Sequence, residues 1–173
     1  MGTVRHFAEK KSIKPDVVSV HSADWGTGEP APIPLSQSDI KSALNTLMNQ
    51  RYQDAKKASE NGEFEYAEIL LKSICSDFRT LVERSIENDL LCGVVQRFQR
   101  PVHTLKLKDL AKLKDADCNL LDSLMTKYSG FEHSQPTESP IELPKPDDLL
   151  ADMTSLKNWR EEYAKRPASA VAG

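Results

Sequence analysis

The sequence predicts an all-α protein, a bundle of about four main helices behind an irregular N-terminal arm. Three observations carry that expectation. Apolar residues recur at three- and four-residue intervals over several long stretches, those stretches are bounded by helix start and stop residues, and no strand-rich region appears beyond short β-prone pieces in the arm.

Residues 1–35 form the arm. Val17, Val18 and Val20 are β-prone, but Gly26-Thr-Gly28 and Pro30, Pro32 and Pro34 punctuate the stretch without helical period. The two glycines do not make a phosphate loop, because Glu29-Pro30 follows where a cation and a backbone donor are needed. A first helix is expected after Ser36, the candidate cap, with Asp39 favouring the positive helix end. Its apolar positions are Ile40, Leu44, Leu47, Met48, Tyr52 and Ala55, and Asn61-Gly62 stops it. The short connection demands an antiparallel neighbour, a long helix from roughly Glu63 to Cys92. Its stripe is Phe64, Ala67, Leu71, Ile74, Cys75, Phe78, Leu81 and Val82.

Gly93 interrupts that helix. Between Val94 and Thr104, which includes Pro101, the residues Val95, Phe98 and Val102 are expected to face the core. Leu107, Leu110 and Leu113 open a third helix. Asp115 or Asp117 then caps a better turn carrying Leu120, Leu121, Leu124, Met125 and Tyr128, and Gly130 ends it. Four prolines make Pro136 to Pro146 an extended loop. The last helix runs from about Asp147 to Lys165, with Leu149, Leu150, Met153, Leu156, Trp159 and Tyr163 on one side. The expected organisation is an arm at 1–35, a helical domain at 36–166 and a disordered tail at 167–173.

Composition bounds the function. With 173 residues, 39% of them apolar, the chain can build one core. Its uncharged apolar runs, such as Leu90 to Val95, fall far short of the ~20 residues of a membrane span. The first thirty residues lack an apolar signal region, so a cytoplasmic protein without membrane contact is expected. Cys75, Cys92 and Cys118 have neither disulfide nor zinc spacing and are expected to be small buried hydrophobes. Net charge is −3, but charge is segregated. Arg97, Arg100, Lys106, Lys108, Lys112 and Lys114 face one acid, Asp109, whereas Glu132 to Asp152 is acidic apart from Lys145. These are either two solvated faces, or a basic surface for phosphates beside an acidic one for another partner.

Arg79, Glu83 and Glu87 recur every four residues along one flank of the apolar stripe. They form either a simple ion-pair ladder, or a semi-buried cleft in which a guanidinium stabilises a phosphoryl oxygen and a carboxylate orients a base. His133, just beyond Gly130, is the natural third member, and His103 beside the basic run competes with it. Such a trio suits metal-free RNA cleavage, in which a base activates the ribose 2′-hydroxyl and a cation stabilises the crowded phosphate. No cluster has metal spacing, and neither metal nor cofactor is expected.

Four blocks carry a resemblance: Asp77-Phe-Arg-Thr-Leu-Val-Glu-Arg-Ser-Ile-Glu87; Arg97-Phe-Gln-Arg100 with Val102 and Thr104; Lys127-Tyr-Ser-Gly-Phe-Glu-His-Ser134; and Leu143-Pro-Lys-Pro-Asp-Asp148 leading to Leu156 and Trp159. Over roughly residues 60–163 the chain resembles the HEPN-like C-terminal helical domain of bacterial coiled-coil AAA-type ATPases, the anticodon-nuclease PrrC/RloC group. The resemblance implies a dimerising helical bundle from a defence or toxin system that acts on RNA, tRNA included. Active HEPN domains place an R-x4-6-H motif at the dimer cleft, whereas some anticodon nucleases use an arginine and a glutamate on one helix with a distant histidine. Arg79, Glu83 and His133 fit the second pattern, and Lys127 stands where the first has arginine. The implied catalytic residues are then Arg79, Glu83 and His133, with Arg97, Arg100, Lys106, Lys108 and Lys127 on the RNA. No Walker A sequence occurs, so nucleotide-dependent control is expected from an ATPase on another chain. The alternative is a catalytically inactive dimerisation or docking module for such an ATPase.

Overall fold

The structure, a computed structural model, describes residues 19–23, 26–31, 34–35, 37–97, 99–131 and 142–167. The chain separates into two units, Met1–Ser38 and Asp39–Gly173. In the first, β1 (Ser19–Ala23) and β2 (Gly26–Ala31) pair antiparallel, so the described part of the arm is a short hairpin rather than wholly irregular. Its register shifts between Val20 and Ser22, opposite Pro30, which cannot donate to a ladder.

The second unit is the helical bundle. It comprises α1 (Ile40–Thr46), α2 (Tyr52–Glu60), α3 (Phe64–Ser85), α4 (Asp115–Tyr128) and α5 (Pro146–Lys165). A π-helical turn, Leu47–Arg51, joins α1 to α2 without a break, so the two are the single first helix the sequence anticipates. The cap is Asp39, not Ser36: its carboxylate accepts the Ser42 amide at 3.0 Å, and only the residue adjoining the first turn can do this. At the far end Gly62 takes φ +82°. The amides of Gly62 and Glu63 bond the carbonyls of Ser59 and Ala58, closing a Schellman motif that folds α3 back on α2.

The stripe on α3 is buried from Ala67 through Ile74, Cys75, Phe78, Leu81 and Val82 to Ser85. Ser85 is tolerated there because its hydroxyl donates to the Leu81 carbonyl at 2.8 Å. Phe64, in the first turn after the hairpin, leaves the stripe and is 70% exposed. Tyr128 of α4 meets Phe78 edge-on at 4.9 Å and donates its hydroxyl to Asp152 of α5 at 2.7 Å. Leu149, Met153, Leu156 and Tyr163 complete the core from α5.

α3 continues as a π-helical turn, Ile86–Leu90, and ends where Cys92 and Gly93 both turn left-handed, at φ +52° and +63°. This reversal buries Val94, whose carbonyl accepts the His103 amide at 2.9 Å. Val95 and Val102 lie in the loop thus closed and are exposed, contrary to their expected core role, and the side chain of Phe98 lies outside the described residues. The segment Thr104–Lys112 is a 3-10 helix rather than the start of α4, and none of its residues is buried, so Leu105 and Leu107 are exposed. Leu113 is exposed too. Among the cysteines only Cys75 is buried; Cys92 is half-buried and Cys118, on the outer face of α4, is exposed. The expected proline loop lies partly, and the tail from 168 onward wholly, outside the described residues.

Phe78→Ala should lower unfolding free energy by about 3–5 kcal/mol, and Phe64→Ala by less than about 0.5 kcal/mol, in urea titrations followed by circular dichroism. Equal losses would show that the apolar stripe does begin at residue 64.

Candidate functional site

Arg79 sits two turns before the end of α3 and is buried despite its charge. Its Nη2 meets Glu83 Oε1 at 2.8 Å, one helical turn on. Arg97, from the loop after the left-handed break, reaches back and places Nη1 at 2.8 Å from Glu83 Oε2, while its Nε bonds Glu87. Glu83 is thus shared between two guanidiniums, one oxygen each. What the sequence suggests as a ladder along one helix is an ion network closed by a residue from beyond it. Burial works against the Arg97 charge, but hydrogen bonds to Glu83 and Glu87 outweigh it and raise the pKa.

The other cations divide into two groups. Arg100, Lys106 and Lys108 are exposed around the 3-10 segment. Lys127 is engaged: its Nζ lies 2.6 Å from Asp152 Oδ2, the oxygen that also accepts the Tyr128 hydroxyl. His103 is exposed and begins the 3-10 segment, its carbonyl accepting the Lys106 amide at 3.0 Å. His133 lies outside the described residues. The last described residue before it, Phe131, packs 6.2 Å from the Tyr128 ring. Burial pushes the Cys75 thiol up to about 12, leaving it protonated and unsuited to nucleophilic work.

The sequence reading assigned Asp117 a cap and nothing more. The cap position is Lys114 rather than Asp115 or Asp117; Asp117, inside the first turn, reaches back to accept the Lys114 amide at 2.9 Å, and it also takes the Trp159 indole N–H at 2.9 Å and two bonds from Arg166, at 2.5 and 3.1 Å. Arg166 in turn donates to the Lys112 carbonyl. One buried acid therefore ties the 3-10 segment and the start of α4 to the end of α5. The available signal was a tryptophan in a core stripe, whose N–H needs an acceptor. A second such tie is Asp89, held by Arg160 at 2.6 Å.

Among the described residues no three His, Cys, Asp or Glu side chains gather as a metal site, and no helix is long and apolar enough to cross a membrane. Compared with known proteins, the chain matches no family model, no curated protein and no solved structure.

Burial alone would raise the Asp117 pKa, but the bonds from Arg166, Trp159 and the Lys114 amide together hold it below its ordinary 3.8. A depressed folded-state value means the stabilisation is complete above the unfolded-state pKa and is lost as pH falls through the folded one. Asp117→Asn should therefore cost about 3 kcal/mol near neutral pH. The gap to wild type should close as the pH is taken below 3.8. Unfolding titrations of both proteins across that range check it, and a gap independent of pH would exclude the ionised carboxylate as its source.

Proposed function

We propose that the helical unit is an HEPN-like module that cleaves RNA without a metal. In this reading His133 takes the proton of a ribose 2′-hydroxyl, the 2′-oxygen attacks the adjacent phosphorus as the P–O5′ bond breaks, and the imidazolium returns that proton to the departing 5′-oxygen, giving a cyclic phosphate and a 5′-hydroxyl. Arg79 stabilises the charge of the crowded phosphate and Glu83 holds Arg79 in place. The supporting observation is the ring series Phe78, Tyr128 and Phe131, with centroids 4.9 and 6.2 Å apart. It brings the chain to α3 at Phe78, the residue before Arg79, and a single residue, Glu132, at most ~7 Å of chain, separates Phe131 from His133. Arg100, Lys106 and Lys108 supply the positive field for an RNA, tRNA among the candidates; Arg97 and Lys127 would have to exchange carboxylate partners for phosphate. The working state is a homodimer under the control of a coiled-coil AAA-type ATPase.

A second reading rests on the completeness of the ion network. Arg79, Glu83, Arg97 and Glu87 neutralise one another, as in a domain whose site has been retired and whose remaining role is to dock on the ATPase.

Incubation of total tRNA with wild type, His133→Ala and Arg79→Lys separates the two, with circular dichroism confirming that each variant is folded. Cleavage by wild type should fall about 100-fold or more in each variant. Cleavage indifferent to His133→Ala, or absent with and without the ATPase, leaves the docking module.

A further inference from the structure

Large apolar side chains stand in solvent at both ends of α3, and the charges around them are opposite. At the N-terminal end a groove of about 440 Å³ opens between α2, α3 and the start of α5. Ala55, Ala67 and Leu71 line it, with the exposed Phe64 at its edge. Glu60, Glu68 and Asp147 stand around it against a single cation, Lys56. Glu68 is paired with Lys72, but both side chains are 54% exposed, so that pair exchanges at little cost.

At the C-terminal end the 3-10 segment Thr104–Lys112 contains no buried residue. Leu105 is 96% exposed and Leu107 is 49% exposed, and they alternate with Lys106 and Lys108. Phosphate contacts would use the lysines, but the bases of an RNA stack on aromatic or guanidinium planes rather than on leucines. Exposed leucines flanked by cations match an apolar floor with an acidic rim. The same chain carries that surface. α3 with its π-helical turn, Phe64 to Leu90, puts about 40 Å of helix between the two, so a molecule cannot satisfy its own groove.

We propose that the chain associates head to tail, the Leu105–Leu107 ridge of one molecule seated in the Phe64–Leu71 groove of the next. Lys106 and Lys108 meet Glu60, Glu68 and Asp147 across the contact. The two surfaces are different, so the contact is heterologous and extends into rings or chains rather than stopping at a symmetric pair. It is distinct from the homodimer of the preceding section. While the ridge is seated, its lysines are withdrawn from nucleic acid.

Sedimentation velocity of the full chain over a concentration series tests this. Weight-average mass should rise with protein concentration and fall as salt is raised from about 0.05 to about 0.5 M, because exposed charge pairs are screened. Leu105→Glu and Phe64→Glu both replace exposed side chains, and thermal unfolding verifies that each variant folds. Each substitution alone should weaken association about tenfold or more, leaving the smallest species seen at low concentration. Their equimolar mixture should form the next larger complex, since the first variant keeps its groove and the second its ridge. Association indifferent to both substitutions, no rescue on mixing, or one mass at every concentration overturns the proposal. So does a Leu105→Glu protein of unchanged mass that has lost retention on RNA, which would make the ridge a nucleic-acid grip.

Discussion

Tyr128 is the point at which three helices of the bundle become one structure. Its ring is fully buried and stands edge-on to Phe78 of α3, and the Phe131 ring lies against it. A phenol without an acceptor in such a place would cost a few kcal/mol, and the Asp152 carboxylate of α5 removes that penalty. Burial and the bond to Asp152 both raise its pKa, so the hydroxyl remains a donor throughout the physiological range. The spacing of α3, α4 and α5 follows from this contact, and with it the position of the chain as it leaves Phe131. Asp152 also receives Lys127, so one acid both secures the core and occupies a cation at its edge.

The bundle handles its buried charge by sharing rather than by isolated pairs. Glu83 gives one oxygen to each of two guanidiniums, and Asp117 gathers Arg166, Trp159 and a backbone amide. A buried ion is expensive to desolvate, and a second and third bond offset that cost where a single Coulomb pair does not. In both cases one partner arrives from outside the regular helices: Arg97 follows the left-handed Cys92–Gly93 break, and Arg166 follows the end of α5. The irregular segments are therefore fixed by the same carboxylates that they neutralise.

Hydrophobic burial is distributed unevenly along α3. No residue from Ile74 to Val82 is exposed, while its first two turns and the segment beyond its last are left with exposed Phe64, Tyr66, Ile69 and Leu105. This distribution leaves a rigid central element for the Arg79–Glu83 pair and confines adhesive surface to the two ends. An acidic groove and a basic ridge then occupy opposite ends of the same helix.

Much of the fold was legible in the sequence because it depends on local rules. The three-and-four spacing of Ile74, Phe78, Leu81 and Val82, the Asn61-Gly62 stop and the Gly93 break each act within a few residues, and the structure places helices and breaks where they indicate. The pairing of Arg79 with Glu83 was likewise legible from their spacing on one helix. What the sequence could not supply was anything set by distant partners. That Arg97 closes the network on Glu83 and that Val94 rather than Val95 and Val102 enters the core follow from a reversal at Cys92, whose direction no local rule states, and Asp117 is a buried junction because Trp159 and Arg166 reach it from α5 and its end. Apolar character also could not reveal that Leu105 and Leu107 lack a neighbour. The sequence determined which residues prefer to be buried and which helices they form; the tertiary structure decided which preferences were met, because burial requires an opposing surface and closing the ion networks requires a second segment brought within hydrogen-bonding distance.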